Sequence, residues 1–270
     1  MKEIGVKRVL QALNLLAPFI SWGIIQVFSL STGSWEDVFI EEDFTKLLTP
    51  APITFAIWGP IFLLLGFFYI YQARDLLPGK EEIEMPFIHQ VSVFFLLSTI
   101  MATVWYVTWS SRMIWISVAS MYIYLGSILA AYFRLDINLE NRPRRERLYV
   151  TAGWSMYAGW VTVATLVTTT TGLLYTGFEN LPFTELQWTL SVSIIAILVY
   201  LYFLFKRKDN IFAAVGVWSL IGVSLTHFDP VPPSETLILI TSIAGAVILA
   251  VFIVYRYIRE RPDISNETYL

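Results

Sequence analysis

LTPAPITFAIWGPIF, residues 48–62, carries three prolines, Pro50, Pro52 and Pro60, around Phe55 and Trp58 at the head of a long apolar run. Proline lacks a backbone N–H and clashes inside helices, so it belongs before or within a first turn. Pro50 and Pro52 therefore mark a helix start. Pro60 is expected to lie inside that helix, to kink it and to free the Ala56 carbonyl. Gly59 leaves room for close approach. A bent, aromatic-lined helix suits the wall of a pocket better than a lipid-facing strut.

The surrounding chain sets the medium in which that helix works. Of the 270 residues 56% are hydrophobic and 14% charged, with a mean hydropathy of +0.63; a soluble domain carries about 25% charge. Apolar runs long enough to cross about 30 Å of hydrocarbon recur along the sequence. They are continuous rather than alternating, which excludes a β-barrel. The expected fold class is an all-α polytopic membrane protein. Eight spans are predicted, at about 9–30, 52–73, 87–108, 112–133, 148–171, 187–205, 211–228 and 236–257. Leu10–Leu30 contains Pro18, Trp22 and Gln26 and lacks a small-residue cleavage site, so it reads as the first membrane helix rather than a signal peptide.

Charge placement tests that count. With the N-terminus in the cytoplasm, sixteen of the 18 Lys and Arg fall on the inner side, and only Lys46 and Arg112 fall outside. This satisfies the positive-inside rule with both termini cytoplasmic, in a bacterial or archaeal plasma membrane. Omitting the seventh span, the weakest, with Gly216 and Gly222, would strand the last basic cluster outside. The basic run RLDINLENRPRRER, residues 134–147, serves topology and anionic headgroups. The longest outer segment, STGSWEDVFIEEDFTKLLTPA, residues 31–51, is acidic and reads either as a solvated loop or as a lid over a cavity.

Several chemistries are excluded. There is no cysteine, hence no disulfide, thiolate metal site or cysteine nucleophile. The span centres hold no Asp, Glu, Lys or Arg, the usual marks of proton relays and ion-coupled transport. His89 and His227 fall at opposite membrane depths and read as interfacial polar residues rather than ligands. No metal-ligand cluster, nucleophile–base pair or membrane-depth carboxylate pair is visible, so no catalytic or metal-binding residue is assigned and no cofactor is required. No nucleic-acid partner is expected.

What the spans do contain is aromatics: 10 Trp, 14 Tyr and 19 Phe. At 3.6 residues per turn, Phe55, Trp58, Phe62 and Tyr69 share one stripe of the second span. Ser98, Ala102, Trp105 and Trp109 share one in the third. Trp154, Tyr157, Val161, Thr165 and Thr168 share one in the fifth, with Trp160 at its margin. Phe55, Trp58, Trp105, Trp109, Trp160, Thr165, Thr168 and Thr169 are expected in the outer half of the membrane. Two readings stand: ordinary helix packing with lipid-facing aromatics, or an aromatic cavity for a flat apolar ligand oriented by Trp N–H and Thr hydroxyl groups.

Four stretches resemble the tryptophan-rich sensory proteins of the TspO/MBR family, related to the mitochondrial translocator protein. LTPAPITFAIWGPIF resembles the start of that family's second helix. WYVTWSSRMIWISV (105–118) resembles the end of its third helix and the start of its fourth, and GWSMYAGWVTVATL (153–166) resembles its fifth. GVWSLIGVSLTHF (216–228) resembles a longer bacterial branch with three added helices. The resemblance implies a five-helix bundle over residues 1–175 and three further helices with a short tail over 176–270. It implies a pocket for porphyrins or sterol-like ligands, with Trp58, Trp105, Trp109, Tyr157 and Trp160 lining or bordering it, and often a homodimer. Ala102 and Thr168 stand where the pattern often has Asn, which removes two amide groups. The expected ligand-binding set is Phe55, Trp58, Trp105, Trp109, Tyr157, Trp160, Thr165 and Thr168. The expected role is a membrane binder, sensor or carrier of flat hydrophobic molecules, tetrapyrroles favoured. Facilitated transport, a ligand-free partner subunit and light-dependent porphyrin degradation are the alternatives.

Overall fold

A computed structural model of the chain describes residues 2–32, 47–76, 79–175, 183–227 and 235–259. Among them there is no strand. Eight helices of fifteen residues or more follow one another: α1 (Lys2–Thr32), α2 (Trp58–Gln72), α3 (Phe94–Ser110), α4 (Ile114–Arg134), α5 (Ala152–Tyr175), α6 (Glu185–Lys206), α7 (Asn210–Thr226) and α8 (Thr236–Arg259). A 3₁₀ turn, Pro52–Ile57, leads into α2, and a short helix, Pro86–Val91, precedes α3. Five described segments are long and apolar enough to cross a membrane: Gly5–Thr32, Pro52–Gln72, Ile114–Arg134, Glu185–Lys206 and Thr236–Arg259. Helices α3 and α7 are apolar and shorter. Most of the predicted lid, residues 33–46 with Trp35, lies outside the described residues.

Helix α5 is the centre of the molecule. It is buried over most of its surface, which explains why its sequence is rich in Thr, Ser and Gly rather than lipid-facing aliphatics. Its threonines satisfy their hydroxyls within the helix: Thr162 donates to the Ala158 carbonyl at 2.8 Å and Thr165 to Val161 at 2.7 Å. Its glycines admit neighbours. A Cβ at Gly159 would stand 3.1 Å from the Val215 Cβ of α7, and one at Gly153 would stand 3.3 Å from Leu64 of α2. Around it, α2 and α4 flank one side and α6 and α7 the other; α3 packs on α4, and α1 on α3. Helices α1 and α2 close the ring only sparingly.

Two sequence expectations need correction. Pro60 lies inside a helical segment, third in α2 and ninth from the start of the 3₁₀ turn at Pro52, but the Ala56 carbonyl does not stand open: it and the Phe55 carbonyl accept the backbone N–H of Trp58. The third span is also not continuous. It breaks at Ser92, whose φ is +51°, between the short helix and α3. No Gly or Pro announces that break; Ser92 N–H closes the short helix onto the Ile88 carbonyl at 2.8 Å.

At the end of the bundle where α1 begins, α1 is pinned to the segment after α2. Lys7 Nζ donates to Asp75 Oδ2 at 2.6 Å and to the Ile83 carbonyl at 2.6 Å; Gln11 Nε2 donates to Asp75 Oδ1 at 2.7 Å and to the Gln72 carbonyl at 2.6 Å. Beyond Asn14 the character of α1 changes. Leu16, Phe19, Ile20, Trp22, Val27 and Leu30 are all exposed, as expected for a helix whose outer surface meets lipid.

Candidate functional site

A cavity of about 550 Å³ lies among α1 to α5, within the roughly 300–1,000 Å³ usual for small-molecule pockets. Helix α2 and its leading turn contribute Phe55, Trp58, Phe62, Leu65 and Tyr69. Helix α3 contributes Phe95, Thr99, Ala102, Trp105, Tyr106 and Trp109. Met121 and Tyr124 come from α4, and Tyr157, Trp160, Val161, Ala164 and Thr168 from α5. The aromatic stripes thus frame a void instead of filling one another.

The rings hold one another in edge-to-face order. Phe55 meets Trp160 at 5.6 Å between centroids and 85° between planes; Trp58 meets Trp160 at 6.2 Å and 82° and Tyr157 at 6.3 Å and 62°. Tyr157 meets Tyr124 at 5.8 Å, and their hydroxyls lie 2.5 Å apart. This chain of rings joins α2, α5 and α4 and fixes the wall without charged groups, since aromatic edges and faces attract each other electrostatically. Trp58 also stacks on Phe62 at 5.2 Å and 21°. Beneath the wall, Trp154 is fully buried against Phe68 and Phe95, so it supports the cavity from behind.

Of the eight expected residues, Phe55, Trp58, Trp105, Trp109, Tyr157, Trp160 and Thr168 line the cavity. Thr165 does not: it is buried, with its hydroxyl turned back to the Val161 carbonyl. Ser98 of the α3 stripe is likewise buried away from the lining and donates to the Phe95 carbonyl at 2.8 Å. Thr169 bonds to the Tyr122 hydroxyl at 3.2 Å and is not part of the wall. The sequence reading missed α1, which contributes Pro18, Ser21, Trp22, Ile25 and Gln26. The signal was present: Pro18, Trp22 and Gln26 recur at i, i+4 and i+8, one face of a helix.

Among the described residues, no Asp, Glu, Lys, Arg or His side chain lines the cavity. Nor does any group of three or more His, Cys, Asp or Glu gather as a metal site. The charged groups sit at the two ends. At the end where α1 begins, burial pushes the Asp75 carboxyl up, but Lys7, the Ile83 N–H and Gln11 together outweigh it and hold the group below the ordinary carboxylate range. At the far end, His227 is buried, with Nδ1 2.7 Å from Glu235 and Nε2 2.8 Å from the Leu47 carbonyl. His89 is exposed.

The described residues of α6 to α8 stay off the cavity but brace its far rim. Ala51 N–H donates to the Gly222 carbonyl at 2.9 Å, and Trp218 Nε1 to the Thr54 carbonyl at 2.7 Å. Thr49 and Pro50, next in the same segment, line the cavity. Gly222 is the residue that lets α7 lie against Thr54, since any Cβ there would run into the Thr54 side chain.

A helical bundle with membrane-length apolar helices around an aromatic, ligand-sized void that no charged side chain lines among the described residues is an integral membrane protein. The chain belongs to the TSPO-like protein family, whose model matches residues 9–255. That membership supports a membrane ligand-binding or transport role. No curated protein and no solved structure matches the chain.

Proposed function

We propose that the protein binds flat hydrophobic small molecules in the α1–α5 cavity, as a sensor or carrier, with tetrapyrroles the favoured class. The observation that carries this reading is the cavity itself: about 550 Å³ framed by Trp58, Trp105, Trp109, Tyr157 and Trp160. Close-packed helices leave few spaces larger than a water, and this one has the size and the apolar, aromatic lining of a small-molecule site.

In this reading all eight helices cross the membrane with both termini in the cytoplasm. Helices α3 and α7, 17 residues each, reach about 26 Å at 1.5 Å per residue, and the basic clusters fall on one side under that topology. Residues 1–175 form the ligand-binding bundle, and 176–270 brace it through α7. The test is a tryptophan-fluorescence titration of the full chain with a porphyrin, as free acid and as dimethyl ester. Saturable quenching by either form, weakened about tenfold by Trp58→Ala at unchanged thermal stability, is the expected result. Quenching that never saturates with either form would refute the reading.

A further inference from the structure

Two residues that line the cavity are also among the more exposed on their helices: Trp22 of α1, 63% exposed, and Phe62 of α2, 60% exposed. A residue that borders a void and is still mostly uncovered stands at an opening. They belong to α1 and α2, two helices of the cavity wall that pack on each other only sparingly. Their uncovered neighbours, Phe19 and Leu63, are apolar, so the opening gives onto the side of the bundle that meets lipid.

The α1–α2 seam is held from the start of α1 as far as Phe19. Lys7 and Gln11 tie the start of α1 to Asp75 and Gln72. Phe19 still meets Tyr69 of α2, at 6.2 Å between ring centroids. Beyond it, α1 leans on α3, through Ser21 and Thr103 at 2.5 Å and Phe28 against Tyr106. Inside, Tyr124 and Tyr157 share a hydrogen bond at 2.5 Å. Ser98 also bonds the Tyr157 hydroxyl; with one donor and two acceptor positions on each hydroxyl, the pair keeps capacity for a further group.

We infer that the cavity takes its ligand uncharged and from the bilayer, through the α1–α2 opening between Trp22 and Phe62, and seats a small neutral polar group on the Tyr124–Tyr157 hydroxyl pair. The inference rests on the proposed binding function and narrows its ligand class. A carboxylate in this cavity would lose its hydration without meeting a cationic side chain of the described lining. An ester, hydroxyl or ketone carries no such cost and dissolves in the lipid that the opening faces.

The test compares protoporphyrin IX with its dimethyl ester, which share one ring and differ in charge, on the full chain in nanodiscs of phosphatidylcholine, with empty discs as the partition control. The ester is expected to bind at least about tenfold more tightly than the free acid. Tyr157→Phe keeps the ring packing and removes one hydroxyl; it is expected to weaken the ester about threefold or more at unchanged thermal stability. Phe62→Lys sets a cation in the opening and is expected to narrow the ester-to-acid ratio. Equal or tighter binding of the free acid would overturn the inference and leave the binding function standing. An unchanged ratio in Phe62→Lys would overturn the route, and unchanged ester affinity in Tyr157→Phe would overturn the seat. If neither porphyrin form saturates, the binding function fails and the inference with it.

Discussion

Replacing Asp75 with Asn tests whether the polar cluster at the start of α1 is what holds that helix to the bundle. The carboxylate is 4% exposed and accepts three hydrogen bonds, from Lys7 at 2.6 Å, Gln11 at 2.7 Å and the Ile83 N–H at 3.0 Å. Removing one partner of a buried ion pair costs about 3–5 kcal/mol, because the other charge stays buried. Lys7 keeps the Ile83 carbonyl and has Glu82 at 3.5 Å, on a side chain 43% exposed. That partial relief places the expected loss near the lower bound, about 3 kcal/mol, or a fall in Tm of roughly 6–12 °C. Replacing both partners, Lys7→Met with Asp75→Leu, leaves no orphaned charge and is expected to fall within about 1 kcal/mol of wild type. Thermal unfolding of the full chain in nanodiscs reads both. The folded Asp75 carboxyl lies below its ordinary value of 3.8, so its contribution is complete above that value and is lost as pH falls through the lower folded one. Wild type and Asp75→Asn should therefore converge only in strong acid. A single variant within about 0.5 kcal/mol of wild type, or a double variant as damaging as the single, would refute the reasoning.

Three further variants follow from the packing. Gly222→Val drives a branched side chain into Thr54 and is expected to cost about 1–3 kcal/mol. It should also weaken porphyrin binding by shifting the turn that carries Phe55, both effects read in one thermal and fluorescence series. Thr165→Val removes a hydroxyl that faces its own helix and is expected to change porphyrin affinity by less than about twofold. Trp160→Ala takes a ring from the wall and is expected to weaken it by about tenfold or more; equal effects of the two would refute the assignment of Thr165 to the backbone.

The helical class and the aromatic stripes were legible because they rest on period and composition. Phe55, Trp58, Phe62 and Tyr69 fall on one face by arithmetic, and the same face borders the void. Thr165 misled because period alone places a residue on a face without saying where its hydroxyl turns; a helical Thr can bond its own i−4 carbonyl. The break at Ser92 was invisible because tertiary packing, not Gly or Pro, sets that backbone. The Lys7–Gln11–Asp75 cluster was hidden for a different reason. Each residue alone looks like an ordinary helix-end polar group, and only the contact between α1 and the segment after α2 makes them one buried unit.

The bonds between the far rim and α7 also order the making of the protein in time. Trp218 reaches Thr54 across 164 residues of chain, and His227 reaches Leu47 across 180. At about 5–20 residues per second, roughly 10–30 s separate synthesis of the turn from synthesis of its partner. Through that interval the segment Ala51–Thr54 lacks the groups that hold it. The ribosome therefore delivers the walls of the cavity first and the fastening of its rim among the last contacts. A chain arrested before α7 would carry every described wall residue with its far rim still unfastened.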